Sequence, residues 1–209
     1  MKTQERLKIA VQKSGRLYQS SMDFLTSRGL AFSPDSRSLI RTCQNSNIDI
    51  VYLRDDDIPE YVSRGIADFG IVGQNVLAEK GLTLRIVTRL GFALCRLVIA
   101  VPRCSRIRTV EDLQNLRIAT SYPKLLTDYL GKSNIKASIV VVSGSAEIAP
   151  RLGLADAVCD LVQTGATLEA NDLVPLCTVL GSQAVLVGSP VRKRSKKRLL
   201  LDLNIKSLI

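Results

Sequence analysis

The sequence contains no histidine and no tryptophan among its 209 residues, and aromatic residues make up only 4%. The missing histidine excludes Ser/His/Asp triads, Cys/His pairs and His-ligated metals. The five cysteines, at positions 43, 95, 104, 159 and 177, are odd in number, widely spaced and without a CxxC. That pattern argues against a disulfide scaffold or a zinc site and fits reduced thiols in a cytosol. Apolar stretches such as Leu97 to Val101 are strand-sized, far short of the roughly 20 residues a bilayer requires. The N-terminus, Met1 to Arg6, has neither an apolar h-region nor a small-residue cleavage site, so a cytoplasmic, unexported chain is expected.

What is present is a chain rich enough in apolar residues, 46%, to build a real core. Its length suits one large domain or two small ones. The net charge of +10 is uneven: residues 190–209 carry seven Lys/Arg and one Asp. The moderately basic body suits small anionic ligands, and the basic tail keeps nucleic acid open as a partner.

Strand and helix patterns alternate. Leu7 to Val11 reads as a strand, followed by a polar turn at Lys13-Ser14-Gly15-Arg16 and a helix from Leu17 to Arg28 that ends at Gly29. Ile48 to Leu53 is a second clear strand. Asp55-Asp56-Asp57-Ile58-Pro59 then opens a helix, with acids at the positive end of its dipole. Asp68 to Gly73 reads as a buried strand. A second run gives strands at Ala93–Val101, 116–120, 138–142 and 157–162, a helix from Pro123 to Leu130, extended structure over 174–187, and a terminal helix over Arg192–Leu203. This alternation predicts an α/β fold with mainly parallel sheets. Two lobes are expected: residues 1–90 with 180–209, and residues 91–179.

The most informative segment is Asp156 to Leu168. A strand up to Val162 meets Thr164-Gly165-Ala166-Thr167 with a helical run behind it. Small and hydroxyl residues between a strand and a helix offer backbone N–H and O–H donors to an anion. Gly165 lets the backbone approach a phosphate, and Asp160 at the strand end can accept from sugar hydroxyls. Together they can grip a ribose 5-phosphate. The alternative is a plain strand–turn–helix with Thr164 as helix cap.

The segment lies within a longer pattern: Glu147, Gly153, Ala155, Val158, Asp160-Leu161, Thr164-Gly165 and Thr167-Leu168. At these intervals it closely resembles the signature of the ATP phosphoribosyltransferase family. Further blocks resemble that family in the same order: Ala10-Val11-Gln12-Lys13-Ser14-Gly15-Arg16, Leu53 to Pro59, Asp68 to Gly73, Cys95-Arg96-Leu97 and Arg117 to Pro123. The resemblance runs from about residue 7 to 188. It implies two α/β lobes similar to periplasmic binding proteins, with the active site between them and the phosphoribosyl loop in the second lobe. The implied reaction joins adenine N1 of ATP to phosphoribosyl pyrophosphate, releasing pyrophosphate, with Mg²⁺ bound to the substrate. This is the first step of histidine biosynthesis.

Both substrates are polyanions, so cationic side chains are needed to bring them together. The resemblance makes Lys13, Arg16 and Arg54 the candidates for catalysis at the phosphates. Arg54 can equally pair with Asp55 or Asp57, and those acids can instead hold Mg²⁺. The substrate-binding candidates are Asp160, Thr164, Gly165, Ala166, Thr167, Leu168, Arg96, Ser121, Tyr122 and Glu147. Arg96 interrupts an apolar strand, so burial would demand a carboxylate or phosphate partner. Ser121 and Tyr122 can line a nucleotide pocket, and Glu147 can cap a helix or contact ligand.

Long family members add a C-terminal domain that binds histidine, whereas short ones depend on a regulatory subunit resembling a histidyl-tRNA synthetase. This sequence stops at Ile209, yet its Gln-Lys-Ser-Gly-Arg and Thr-Ser-Tyr-Pro blocks look more like long forms. A homo-oligomer insensitive to histidine on its own is expected, with such a regulatory subunit as a possible partner. Two rivals stay open. One is a solute-binding or sensor protein of the same fold. The other is a nucleic-acid binder resting on the basic tail, disfavoured because aromatics do not alternate with the basic residues.

Overall fold

Leu7, Ile9, Ala10 and Val11 are all buried because the strand they form, β1 (Leu7–Gln12), lies inside a sheet. Its neighbours β3 (Ile48–Leu53) and β4 (Phe69–Gly73) run parallel to it. The sheet is completed by β2 (Ile40–Thr42) beside β3, and by β11 (Ala184–Gly188) and β5 (Arg85–Arg89) beyond β4. The computed structural model describes residues 6–32 and 38–191, and the expected terminal helix over Arg192–Leu203 lies outside them.

Helices α1 (Tyr18–Ser27), α2 (Ile58–Ser63) and α3 (Gln74–Lys80) cover this sheet. Met22 and Leu25 of α1 pack with Ile9, Val11, Ile50 and Phe69, while Ile58, Val62, Val76 and Leu77 pack with Ala10, Val72 and Val187. Both faces are therefore covered, which explains why β4 is buried at every residue instead of alternating. Gly70 is the close-approach point: a Cβ there would sit 2.6 Å from Ile58 Cγ2 and 2.9 Å from Val62 Cγ2. The small residue lets α2 lie directly on the sheet.

A second sheet has the order β10-β6-β9-β7-β8. Its strands are β6 (Cys95–Pro102), β7 (Arg117–Thr120), β8 (Ser138–Val141), β9 (Ala157–Val162) and β10 (Leu173–Ser182). Leu126 and Leu130 of α4 (Pro123–Lys132) pack on Leu97, Ile99, Ile118 and Cys159. Leu168 of α5 (Ala166–Ala170) packs on Val98, Ala100, Val158 and Val162. Pro175 sits in edge strand β10, next to a register irregularity, where its missing N–H is tolerated.

The α/β class is as expected, but the sheets are mixed and not mainly parallel. Parallel pairing is confined to β3-β1-β4 and β8-β7-β9, and every other neighbouring pair is antiparallel. Parallel neighbours need a crossover element between them. β5 and β6, and β10 and β11, are consecutive in the chain but belong to different sheets, joined without a helix between them; β11 and β5, and β6 and β10, pair antiparallel within their own sheets. Hydrophobic periodicity reports burial and carries no information on strand direction.

The chain packs as two compact units. One comprises the described residues up to Leu77, Gly81–Ala93 and the described residues from Gln183 on; the other comprises Ala78–Lys80 and Leu94–Ser182. No helix among the described residues is long and apolar enough to cross a membrane.

Candidate active site

In the first unit, the parallel strands β1 and β3 end level, with Gln12 opposite Leu53. The Lys13 N–H donates to the Leu53 carbonyl at 2.8 Å, so the Lys13–Arg16 turn starts beside Arg54. The turn is braced from within: Gln12 Oε1 accepts the Leu17 N–H at 3.0 Å and the Gly15 carbonyl accepts the Tyr18 N–H at 3.2 Å. Lys13, Arg16 and Arg54 are exposed. Among the described residues, none of their side chains makes an ion pair or hydrogen bond, so Arg54 does not pair with Asp55 or Asp57. Burial raises the Asp55 carboxyl above the ordinary carboxylate range; Asp56's charge adds to that, and Arg16's charge opposes it. The basic turn and the acidic turn therefore feel each other's charge. No group of three or more Asp, Glu, Cys or His that could hold a metal ion occurs among the described residues.

In the second unit, one edge of the sheet gathers the ends of β7, β8 and β9 and the start of antiparallel β6. Arg96 lies opposite Val162, Thr120 opposite Cys159, and Thr120 opposite Val141. Ser121-Tyr122, Gln163–Thr167 and Arg96 thus come from three chain segments to one edge. Thr120 holds two of them. Its buried hydroxyl donates to the Cys159 carbonyl at 2.7 Å and accepts the Tyr122 N–H at 2.9 Å. Thr120 lay within a family-like block, yet nothing in its spacing distinguished a strut from a pocket residue.

The loop after β9 carries the expected donors outward. Thr164, Ala166 and Thr167 are exposed. Gly165 is the residue that starts α5, at φ +92°, and no atom lies within 4 Å of where its Cβ would be. Thr164 is thus not the cap; its hydroxyl accepts the Ala166 N–H only at 3.4 Å. Asp160 is half-buried at the end of β9, and its Oδ1 accepts the Leu161 N–H at 2.7 Å. Leu168 is core and only 4% exposed, so its side chain anchors the loop.

Other candidates change their reading. Arg96 is exposed, not buried, so the desolvation argument for a compulsory partner falls away. The strand's alternation turns it outward between buried Cys95 and Leu97. Ser121 Oγ donates to the Val142 carbonyl at 2.8 Å, which commits its proton. Tyr122 is partly buried against the second unit's core. Glu147 lies in a short 3-10 turn, Ala146–Ile148, with no side-chain capping bond. Ser145 before it has a left-handed backbone, φ +46°, a conformation costing about 1–2 kcal/mol outside glycine.

Two α/β units of mixed sheets define a fold that solute-binding proteins also have. The periplasmic aliphatic sulphonate binding protein SsuA from Escherichia coli has a TM-score of 0.63 to this chain at 18% identity, over 97% of this chain and 72% of that one, a likeness of fold alone. Within that fold, the HisG model, ATP phosphoribosyltransferase, matches residues 54–208. ATP phosphoribosyltransferases from Cytophaga hutchinsonii and Maricaulis maris are 46% and 48% identical, over 94% and 87% of this chain. The ATP phosphoribosyl transferase (HisG:HisZ) complex structure from Thermotoga maritima has a TM-score of 0.81 at 32% identity, covering 95% of this chain and 97% of that one. The chain belongs to the ATP phosphoribosyltransferase family, and is an enzyme of the phosphoribosyltransferase class. It spans 69% and 64% of the length of the Cytophaga and Maricaulis relatives.

Proposed function

We propose that this chain joins ATP to phosphoribosyl pyrophosphate through adenine N1, releasing pyrophosphate, with the roles divided between the basic turn of the first unit and the hydroxyl-bearing loop of the second. The observation that carries the division is the Thr164–Thr167 loop. Exposed hydroxyls and N–H groups stand there beside Asp160, at the end of a strand buried on both sides. The loop takes the ribose 5-phosphate, and the Asp160 carboxylate takes the ribose hydroxyls. That carboxylate also favours the positive character that the anomeric carbon develops. Lys13, Arg16 and Arg54 take phosphates of the substrates and stabilise the charge arriving on the leaving pyrophosphate. Adenine N1 is already nucleophilic, so no histidine is required. Mg²⁺ would enter with the substrate and supply charge neutralisation at the leaving diphosphate.

The chain acts in the cytoplasm as a homo-oligomer. The T. maritima relative is described as a HisG:HisZ complex, which supports a histidyl-tRNA-synthetase-like regulatory subunit for this chain as well. The test is pyrophosphate release on mixing the purified chain with ATP, phosphoribosyl pyrophosphate and Mg²⁺, alone and with such a subunit. Turnover dependent on both substrates is expected. Binding of either substrate with no pyrophosphate under both conditions would favour the solute-binding or sensor reading.

A further inference from the structure

Two strand-to-helix turns lie at the same edge of the second unit, and they differ in what meets their N–H groups. After β9, the Ala166 N–H of the Thr164–Thr167 turn meets the Thr164 hydroxyl only at 3.4 Å. After β7, the first turn of α4 is filled. Glu79, near the end of α3, places Oε1 2.9 Å from the Lys124 N–H and Oε2 2.9 Å from the Leu125 N–H. Residue 122 provides no side-chain cap of its own. A carboxylate 45 residues away in sequence thus does the work that a local Ser, Thr or Asp does in most helices. It satisfies two N–H groups that have no partner within the helix and sets a negative charge at the positive end of a ten-residue helix.

We infer that Glu79 is a positioning residue for the substrate edge, acting through α4. By holding Lys124 and Leu125 it fixes the turn that carries Ser121 and Tyr122, and by filling those N–H groups it denies them to a substrate phosphate. Of two similar turns at one edge, only the β9 turn is then left to receive the 5-phosphate. The Ser121 hydroxyl donating to Val142 and the Tyr122 N–H donating to Thr120 brace the same turn from the other side. The carboxylate reaches that turn from α3, a segment distant in sequence from β7, β8 and β9. The kinetic part of this inference rests on the substrate assignment proposed above; the anion-binding part does not.

The experiment compares wild type with Glu79→Ala and the isosteric Glu79→Gln, which keeps one acceptor and removes the charge. The first measurement is inorganic phosphate binding, followed by the shift in melting temperature and by titration of the Lys124 and Leu125 amide NMR signals. In Glu79→Ala, phosphate moves these two amides and raises the melting temperature by more than in wild type. In wild type, the same two signals stay still. The second measurement is kinetic: in Glu79→Ala, KM for ATP rises by about five-fold or more, the scale of a lost helix cap, while kcat stays within about two-fold. Glu79→Gln falls between the two, and acetate partly restores KM in Glu79→Ala. The inference is overturned if the Lys124 and Leu125 amides of both variants ignore phosphate. It is equally overturned if the variants lose melting temperature and kcat with KM unchanged, the mark of a cap that only supports the fold. A wild-type chain without turnover would sink the substrate assignment instead, and the phosphate titration would still decide whether Glu79 excludes anions from α4.

Discussion

The Lys13 N–H donates to the Leu53 carbonyl at 2.8 Å. That single bond continues the parallel ladder one step past the end of β1. It sets the Lys13–Arg16 turn beside Arg54, although 41 positions separate Lys13 from Arg54 in sequence. Three cations from two motifs meet at one strand edge, exposed and without ion-pair partners among the described residues.

Such an arrangement serves a polyanion better than it serves the fold. Arg16→Ala should leave the melting temperature unchanged and lower kcat/KM by about ten- to hundred-fold, since a charge-assisted bond is worth roughly 1.5–3 kcal/mol. Steady-state kinetics on the variant decide it. A loss smaller than about two-fold returns Arg16 to the status of a solvated surface charge.

Gly165 tests a different link, backbone conformation. Its φ of +92° strains any other residue, while the space around it is open. Gly165→Ala should therefore destabilise by about 1–2 kcal/mol, or roughly 2–8 °C in melting temperature for a chain of this size, and Gly165→Val by more, because β-branched residues tolerate positive φ least. Gly165→Asn should cost less than either, because Asn enters the left-handed region more readily. An Asn variant as destabilised as the Ala variant would refute strain as the cause.

Acid stability should track one ion pair. Arg117 grips Asp156 through Nη2 at 2.9 Å and Nε at 3.1 Å, and the Arg117 N–H adds a third bond at 2.9 Å. The Arg117 side-chain and backbone bonds hold the Asp156 carboxyl below the ordinary range. A depressed folded-state pKa contributes stability that is present above the unfolded value of about 3.9 and is lost as pH falls through the folded value. Asp156→Asn should thus cost at most about 1 kcal/mol at pH 7, because the pair is partly exposed. That difference should shrink below about pH 4. Urea unfolding at pH 7 and pH 3 measures both; an equal difference at the two values would refute the pair's role.

Thiol chemistry should follow exposure. Cys104 is exposed, whereas Cys43, Cys95 and Cys159 are buried, and burial pushes the Cys159 thiol up to about 12. Iodoacetamide at pH 8 should label Cys104 first and leave Cys159 unmodified until the protein unfolds, with activity retained after the first label. Early labelling of Cys159 on a peptide map, or inactivation in step with Cys104 labelling, would contradict this.

Much of the architecture was legible without coordinates, because it rests on burial. The run Asp68 to Gly73 reads as a buried strand, and Ala157 to Val162 as the strand feeding the phosphate loop; the strands Phe69–Gly73 and Ala157–Val162 lie there. Arg96 was misread for the same reason. An apolar run suggests that everything within it is buried, but alternation within one strand turns every second side chain the other way. Leu168 shows that a family-like motif can set a side chain packed in the core beside residues that face solvent.

Composition and local pattern by themselves determined the α/β class, the family-like blocks and the chemistry that a chain without histidine can perform. Periodicity, turn residues and charge act over a few neighbouring residues, so they are written in the sequence. Tertiary structure alone decided the mixed strand directions, the outward turn of Arg96, the Thr120 strut between β7 and β9, and the seating of Glu79 on α4. Each depends on which distant segments become neighbours, a choice made by the packing of whole sheets and helices that no local pattern encodes.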